Sequence, residues 1–257
     1  VTGREEHLAT EEPLEIRLGD RRLTVTMRTP GADFELAAGL LHAEGVIKSG
    51  ADLRSIRYCV DPALEDTQRY NVVTVDLADS ADAAVAGLER SFLASSACGV
   101  CGKQSLEALR TVGARPVEDG LVVPATVLAG LPDRLRGGQR LFERTGGLHA
   151  AGLFTAAGDM VAVREDVGRH NAVDKVVGWA LLQGRLPLTG MALLVSGRTS
   201  YEIVQKAVTA GIPLVASVSA PSSLAVSLAE EYAVTLVGFV RDGRFTVYTG
   251  DQRIATG

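Results

Sequence analysis

The chain has 257 residues and a formal net charge of -5, and 46% of its residues are hydrophobic. These values fit a folded, soluble protein with a sizeable core, and they give no electrostatic reason to expect a nucleic-acid partner. No stretch reaches the roughly 18 consecutive apolar residues that a membrane-spanning helix needs. The three cysteines are an odd number and no secretory leader opens the sequence, so we expect a cytoplasmic protein with free thiols.

The first half of the chain is predicted to form an N-terminal α+β subdomain that ends at residue 135. Apolar residues alternate with a period of two on both sides of Gly19, which indicates a hairpin, and Asp33 is predicted to cap the following helix. Cys59 is expected to be a small hydrophobic residue of a half-buried strand. The predicted elements are a hairpin over residues 15–29, a helix over 34–43, strands at 58–60 and 71–77, and a helix over 126–135.

The second half, residues 136–257, alternates strands with helices in a regular pattern. Its central strands are continuously apolar, which is typical of strands buried on both faces. We therefore predict an α/β core with a largely parallel sheet that is covered by helices. The predicted strands are residues 149–155, 160–164, 191–196, 213–219, 234–240 and 245–248, and the predicted helices are residues 172–183, 199–210 and 222–232.

Two of the cysteines, Cys98 and Cys101, lie in a glycine-containing segment, residues 95–103, between two helical stretches. Such a C-x-x-C pair serves as half of a metal site, as a dithiol redox pair, as a persulfide carrier, or has no function. Cys59 is isolated and the four histidines lack ligand spacing, so no metal site is expected. The pair follows a helix rather than a strand, which weakens the redox interpretation. Lys103 could lower a thiol pKa nearby.

Two junctions between a strand and a helix are candidates for ligand binding, residues 165–171 and residues 196–200. In a parallel α/β sheet, such junctions lie at the carboxyl edge, where ligands bind. Free backbone N–H groups at the helix starts, together with Arg169 and Arg198, predict an anion site.

Several ordered blocks of the sequence resemble the FdhD family, the formate dehydrogenase accessory sulfurtransferases. The resemblance covers nearly the whole chain. The blocks are EPLEI (12–16), GLL (39–41), EGVI (44–47), CGVCG (98–102), HAA (149–151), EDVGRHNAVDK (165–175), SGRTSYE (196–202) and GFVRDGR (238–244).

The resemblance implies a cytoplasmic homodimer that takes sulfur from a cysteine desulfurase as a persulfide on Cys98, with Cys101 as an accessory thiol. It implies that the sulfur passes to the molybdenum cofactor, bis-molybdopterin guanine dinucleotide, for the catalytic subunit of formate dehydrogenase. The implied fold is a cytidine-deaminase-like three-layer α/β/α core with a mobile C-x-x-C loop. The expected cofactor-contacting residues are Phe239, Val240, Arg241, Asp242, Gly243 and Arg244, and at the two junctions Arg169, His170, Ser196 and Arg198.

Zinc deaminases carry a P-C-x-x-C motif at the second helix start, where this chain has residues 196–199 and no cysteine. We therefore expect no zinc, and we expect neither nucleic acid nor membrane as a partner. Glu165 and Asp166 are expected to orient the arginines or the pterin. Two alternatives stay open, a non-catalytic chaperone for the cofactor and a dithiol oxidoreductase.

Overall fold

The structure, a computed structural model, describes residue 3 and residues 5–59, 70–78 and 114–256. The predicted cysteine segment, with Cys98 and Cys101, lies outside the described residues. The N-terminal part holds a four-stranded sheet in the order β2-β1-β4-β3. The predicted hairpin is confirmed, since β1 and β2 pair in antiparallel fashion around Gly19. The elements of this part are β1 (Glu12–Leu18), β2 (Arg21–Arg28), α1 (Asp33–Ala43), β3 (Leu53–Tyr58) and β4 (Val72–Leu77). Cys59 follows β3 directly, is partly buried, and donates its backbone N–H to Val72.

The start of α1 differs from the prediction. Ala32 occupies the N-cap position with a φ of 56°, and no side chain caps the helix. Asp33 is instead the first helical residue, and its carboxylate accepts hydrogen bonds from Arg28 at 3.1 and 3.0 Å and from Tyr58 at 3.1 Å. The prediction that Asp33 caps the helix was wrong because the buried Arg28 guanidinium takes this carboxylate as its ion-pair partner.

The C-terminal sheet has six strands in the order β11-β10-β9-β8-β6-β7. Only the pairs β8–β9 and β9–β10 are parallel, and the other three pairs are antiparallel. The prediction of a largely parallel sheet was therefore wrong. Short turns join β6 to β7 and β10 to β11, and a chain that reverses in a short turn pairs in antiparallel fashion. The strands are β6 (His149–Phe154), β7 (Met160–Asp166), β8 (Ala192–Val195), β9 (Leu214–Ser217), β10 (Thr235–Arg241) and β11 (Arg244–Thr249).

Helices cover both faces of this sheet. On β8, Leu193 and Val195 pack into the core beneath one set of helices, whereas Ala192 and Leu194 point to the opposite face. The first face is covered by α4 (Arg169–Leu182), α5 (Tyr201–Thr209) and α6 (Ser223–Glu231), and the second by α2 (Ala125–Gly138). A short helix, α3 (Arg140–Thr145), and a two-stranded sheet of β5 (Val123–Pro124) and β12 (Ile254–Ala255) complete the described α-helices and strands. The mixed α/β class is confirmed, and the deaminase-like topology stays a prediction.

Helix α1 packs directly against α4 through two glycines, while its other face contributes to the core under the N-terminal sheet. A Cβ atom on Gly39 would lie 1.9 Å from the Asp174 carbonyl oxygen, and one on Gly178 would lie 1.8 Å from the Glu35 carbonyl oxygen. Only glycine permits this approach of two helix backbones. The predicted subdomain boundary after residue 135 falls inside α2, and the division stays a prediction.

Replacing Gly178 with alanine is expected to lower the free energy of unfolding by about 2–3 kcal/mol, because the two helix backbones must separate. This loss outweighs the gain of about 1 kcal/mol that alanine brings to a helix interior. Gly130→Ala in α2 is the matched control, since its Cβ would meet nothing within 4 Å. We expect this control to be neutral or stabilising in urea unfolding. A Gly178→Ala variant as stable as the control would contradict the close packing.

Candidate functional site at one edge of the six-stranded sheet

The topology brings the predicted site residues to a single edge of the large sheet. The parallel strands β8, β9 and β10 end there. Strand β6 is antiparallel to β8 and therefore begins at this edge, and β7 returns to it. The start of α4, the loop after β8 and the turn after β10 consequently face the same side of the molecule. This is the edge where α/β sheets commonly bind ligands.

Asp166 fixes the turn that leads into α4. Its carboxylate is fully buried and accepts hydrogen bonds from the backbone N–H of Gly168 at 2.8 Å and of Thr29 at 3.1 Å. The Asn171 amide donates to it at 2.9 Å, and the Lys175 ammonium lies 2.6 Å away. Four partners from two parts of the chain therefore fix the position of this turn. Arg169 follows the turn directly as the first residue of α4.

The N-terminal hairpin takes part in this arrangement, which sequence reasoning did not anticipate. The Asn171 amide also donates to the Met27 carbonyl at 2.7 Å, and the Lys175 ammonium donates to the Thr29 carbonyl at 2.8 Å. Glu165 acts elsewhere, because its carboxylate accepts the backbone N–H groups of Leu141 and Phe142 at the start of α3. Met27 on β2 and Thr29 directly after β2 therefore hold the beginning of α4 in place.

Arg169 and Ser196 lie together around a third residue, His149, at the start of β6. The guanidinium Nε of Arg169 is buried and has no hydrogen-bond partner within the described ranges. A Cβ on Gly197 would come within 3.3 Å of His149 and 3.5 Å of Arg169, so glycine leaves room for both. The Ser196 hydroxyl accepts the Ala150 N–H at 2.9 Å and lies 3.5 Å from His149 Nδ1. Burial lowers the pKa of His149, and the charges of Arg169 and His170 add to this effect.

His170 contacts two side chains at the start of α5. Its Nε2 atom lies 2.9 Å from the Ser200 hydroxyl and 3.4 Å from a Glu202 carboxylate oxygen. Ser200 donates to the same oxygen of Glu202 at 2.6 Å. The hydrogen bond to His170 is the main reason why the pKa of Glu202 falls to about 2, with Ser200 contributing as well. Ser200 lies within the predicted junction of residues 196–200, but sequence reasoning did not select Glu202 or His149 as site residues, although Glu202 follows Ser200 closely at a helix start.

Arg198 and Thr199 have opposite environments on the loop after β8. Arg198 is exposed, whereas Thr199 is fully buried and its hydroxyl has no partner within the described ranges. The Thr199 backbone pairs with the next loop, since its N–H donates to the Ala220 carbonyl at 3.2 Å. The exposed guanidinium of Arg198 is therefore carried by a firmly held loop at the site edge.

The turn between β10 and β11 forms a second group of candidate residues. Asp242 and Gly243 have φ values of 54° and 72°, as a tight two-residue hairpin turn requires. Phe239 also has a positive φ, 54°, which is unusual for a bulky residue and coincides with an irregularity in the pairing of β10 with β11 between Gly238 and Arg241. The Arg241 guanidinium lies 5.5 Å from the centre of that ring. Val240 is different, because its side chain is buried in the core and leaves only its backbone for a ligand.

These turn residues line a concavity of ≈ 370 Å³, whose described walls are Phe239, Arg241, Asp242, Arg244, Phe245 and Thr246. The loop after β9 connects it to the first group. The Phe239 N–H donates to the Ser219 carbonyl at 3.1 Å, and a Cβ on Gly238 would lie 2.9 Å from Pro221. The two groups therefore lie on adjoining loops. An anionic ligand with a flat ring system can bind here. The arginines of both groups, the Phe239 ring and the start of α4, which no side chain caps, are the groups that would contact it.

Within the described ranges, no three His, Cys, Asp or Glu side chains gather in a way that could hold a metal ion. None of the described helices has the length and apolar character needed to cross a membrane.

Comparison with known proteins gives a consistent result along the chain. A family model described as the FdhD/NarQ family matches residues 9–255. A protein named sulfur carrier protein FdhD from Mycolicibacterium paratuberculosis is 56% identical over 98% of this chain and 93% of its own length. A protein of the same name from Streptomyces coelicolor is 55% identical over 99% of this chain and 91% of its own length.

A solved structure is also similar in fold. It is a crystal structure from Desulfotalea psychrophila, described as that of a candidate formate dehydrogenase accessory protein. It superposes with a TM-score of 0.75 at 29% identity and covers 97% of this chain and 91% of the other.

Proposed function

Because the chain belongs to the FdhD/NarQ family, we propose that it is a sulfur carrier in the maturation of formate dehydrogenase. One observation carries this proposal, namely that relatives named as sulfur carriers align with 98–99% of this chain at 55–56% identity. The sequence supplies the chemistry that such a role needs, a C-x-x-C pair in a segment rich in small residues.

In the proposed loading step, the Cys98 thiolate attacks the outer sulfur of a persulfide on a cysteine desulfurase. A new S–S bond forms at Cys98, the old S–S bond breaks, and the desulfurase cysteine leaves as a thiolate. No external oxidant is required, because the transferred sulfur keeps its oxidation state. Cys101 is the second thiol, available for the release of this sulfur.

The proposed acceptor is the molybdenum cofactor in its bis-molybdopterin guanine dinucleotide form, bound as a substrate at the sheet edge. Arg169 and Arg198 supply guanidinium groups that suit phosphate, and His170 and Ser196 supply neighbouring hydrogen-bonding groups. Phe239 and Arg241 offer a face for a flat heterocycle in the concavity of the β10–β11 turn. The residues from Phe239 to Arg244 are therefore assigned to the guanine dinucleotide part.

The proposed cellular location, oligomeric state and partner proteins follow from the same role. We assign the chain to the cytoplasm, as a homodimer with a cytidine-deaminase-like core. Its partners are a cysteine desulfurase as the donor and the catalytic subunit of formate dehydrogenase as the final recipient of the sulfurated cofactor.

The proposal is tested by intact-mass measurement after incubation with a cysteine desulfurase and cysteine. We expect the wild-type protein to gain the mass of one sulfur atom and to lose it on treatment with a thiol reductant. The Cys98→Ala variant should gain none, and Cys101→Ala should still be loaded. A wild-type protein that never gains sulfur, or a Cys98→Ala variant that is loaded normally, would overturn the assignment.

A further inference from the structure

The turn between β10 and β11 places a carboxylate beside an aromatic ring. Asp242 is exposed and lines the concavity together with Phe239 and Arg241. The Arg241 guanidinium lies by the Phe239 ring, 5.5 Å from its centre. Although Arg241 and Arg244 flank the turn, no ion pair or hydrogen bond engages the Asp242 carboxylate within the described residues. Both of its oxygens are therefore available to a ligand.

A carboxylate in this position restricts how a nucleotide can lie in the concavity. Its oxygens only accept hydrogen bonds, and its negative charge repels phosphate groups. A flat ring that lies on Phe239 must therefore turn N–H donors, rather than lone pairs, towards Asp242. The phosphates are then directed away from the turn, towards the group of site residues on the adjoining loops that contains Arg169 and Arg198.

Guanine carries a suitable pair of donors. Its N1–H and its 2-amino group point in the same direction, at a spacing that matches the two oxygens of a carboxylate. Adenine has a lone pair at N1 on the same edge, which a carboxylate repels. The pterin ring has the same edge as guanine, because both contain a 2-amino-4-oxopyrimidine. The guanines and the pterins of the proposed substrate therefore share the chemistry that Asp242 can recognise.

We propose that Asp242 is a specificity-determining residue, which selects ligands that carry a 2-amino-4-oxopyrimidine edge. This inference rests on the proposed sulfur-carrier function, and it deepens the assignment of the β10–β11 turn. Stacking on Phe239 and Arg241 accepts any flat heterocycle, because every base has a π-face. Asp242 adds the discrimination between heterocycles that stacking does not supply.

The test is calorimetric titration of the full chain with four nucleoside diphosphates. The wild type should bind guanosine diphosphate most tightly. Inosine diphosphate lacks the 2-amino group and should bind about 10-fold more weakly, as expected for the loss of one hydrogen bond to a charged group. Adenosine and xanthosine diphosphates should bind about 100-fold more weakly, because each turns an acceptor towards the carboxylate.

Asp242→Asn is expected to change the preferred ligand rather than to abolish binding. Asparagine tolerates the φ of 54° at this position, so the turn is retained. Its amide offers one acceptor and one donor, which match the N1–H and the 2-oxo group of xanthine. Guanosine diphosphate should therefore bind about 100-fold more weakly to this variant, and xanthosine diphosphate should become the tighter ligand. A residue that only shapes the turn would not produce this reversal.

Asp20→Asn is the matched control. Asp20 is likewise exposed, lies next to Gly19 in the turn between β1 and β2, and is followed by Arg21. This turn is at the end of the hairpin opposite to Arg28 and Thr29, and therefore away from the start of α4. The control should keep the nucleotide preference of the wild type.

A second pair of ligands shows which part of the substrate Asp242 contacts. Pterin and lumazine differ as guanine and xanthine do, since lumazine has a 2-oxo group in place of the 2-amino group. If Asp242→Asn weakens the binding of guanosine diphosphate alone, the contact is with guanine. If it weakens the binding of pterin, the contact includes the pterin, and both results support the inference.

Three results would overturn it. These are a wild type that binds neither guanosine diphosphate nor pterin, a wild type that binds all four diphosphates equally, and an Asp242→Asn variant with an unchanged preference. A contact of Asp242 with the ribose hydroxyls would give the second result, because all four ligands share that sugar. Sulfur loading of the wild type is measured by intact mass without any nucleotide, so failure of the sulfur-carrier proposal would be seen separately.

Discussion

Cys98→Ala is expected to abolish the activation of formate dehydrogenase in cells that lack the native protein. The reason is chemical, because an alanine has no atom that can form an S–S bond and hold the sulfur between donor and acceptor. The measurement is formate-dependent reduction of a dye in extracts, at matched levels of the carrier and of formate dehydrogenase. The matched control is Cys59→Ala, which removes a partly buried thiol at the end of β3 and should keep full activity.

The same activity assay, together with the intact-mass measurement, distinguishes a sulfur carrier from a cofactor chaperone and from a dithiol oxidoreductase. A chaperone that only binds and delivers the cofactor would still support formate dehydrogenase when both Cys98 and Cys101 are replaced by alanine. A dithiol oxidoreductase would lose activity in either single variant and would not gain sulfur mass from the desulfurase. A sulfur carrier should lose all activity in Cys98→Ala and retain a part of it in Cys101→Ala, where an external thiol can release the sulfur.

The sequence predicts the elements of this fold better than their directions. Alternation around Gly19 is a local signal, and the hairpin of β1 and β2 is present as predicted. The short turn between β6 and β7 is a local signal for antiparallel pairing, but the direction of β6 relative to β8 depends on pairing across the sheet. An apolar pattern is the same in a parallel or an antiparallel arrangement. The role of Asp33 likewise depends on Arg28, whose buried guanidinium could not be located from the sequence. Tertiary packing, which buries Arg28 and pairs β6 with β8, was not visible in local propensity.

The candidate site could likewise be predicted only in part from the sequence. Arg169 and Arg198 follow strands, so their position at one sheet edge could be predicted from the pattern of elements alone. The partners of His170 could not, because Ser200 and Glu202 are 30 or more residues away in the chain and meet it only through the packing of α4 and α5. The contribution of the N-terminal hairpin could not be predicted either, since most of it consists of backbone contacts, from Met27 to Asn171 and from Thr29 to the Asp166–Lys175 pair.

Lys175→Met is expected to lower the free energy of unfolding by about 3–5 kcal/mol, since it leaves the fully buried carboxylate of Asp166 without its cation. Asp166 keeps three N–H donors, from Thr29, Gly168 and Asn171, but these do not neutralise its charge. The double variant with Asp166→Asn should recover part of the loss, because the unpaired charge is then absent. Urea unfolding of the single and double variants measures this coupling.

A second buried ion pair, between α4 and α5, makes it possible to separate stability from function. Lys206 and Asp174 lie 2.6 Å apart and their side chains are 7% and 2% exposed, and within the described residues no hydrogen bond joins either side chain to the turn before α4. Lys206→Met should therefore cost similar stability while leaving guanine nucleotide binding unchanged under conditions where the protein stays folded. Lys175→Met should weaken that binding, because the turn before α4 loses the ammonium that joins Asp166 to the Thr29 carbonyl, and the start of α4 with Arg169 and His170 is then held less firmly. Equal binding in the two variants would mean that the buried pair supports the fold alone and does not position the site.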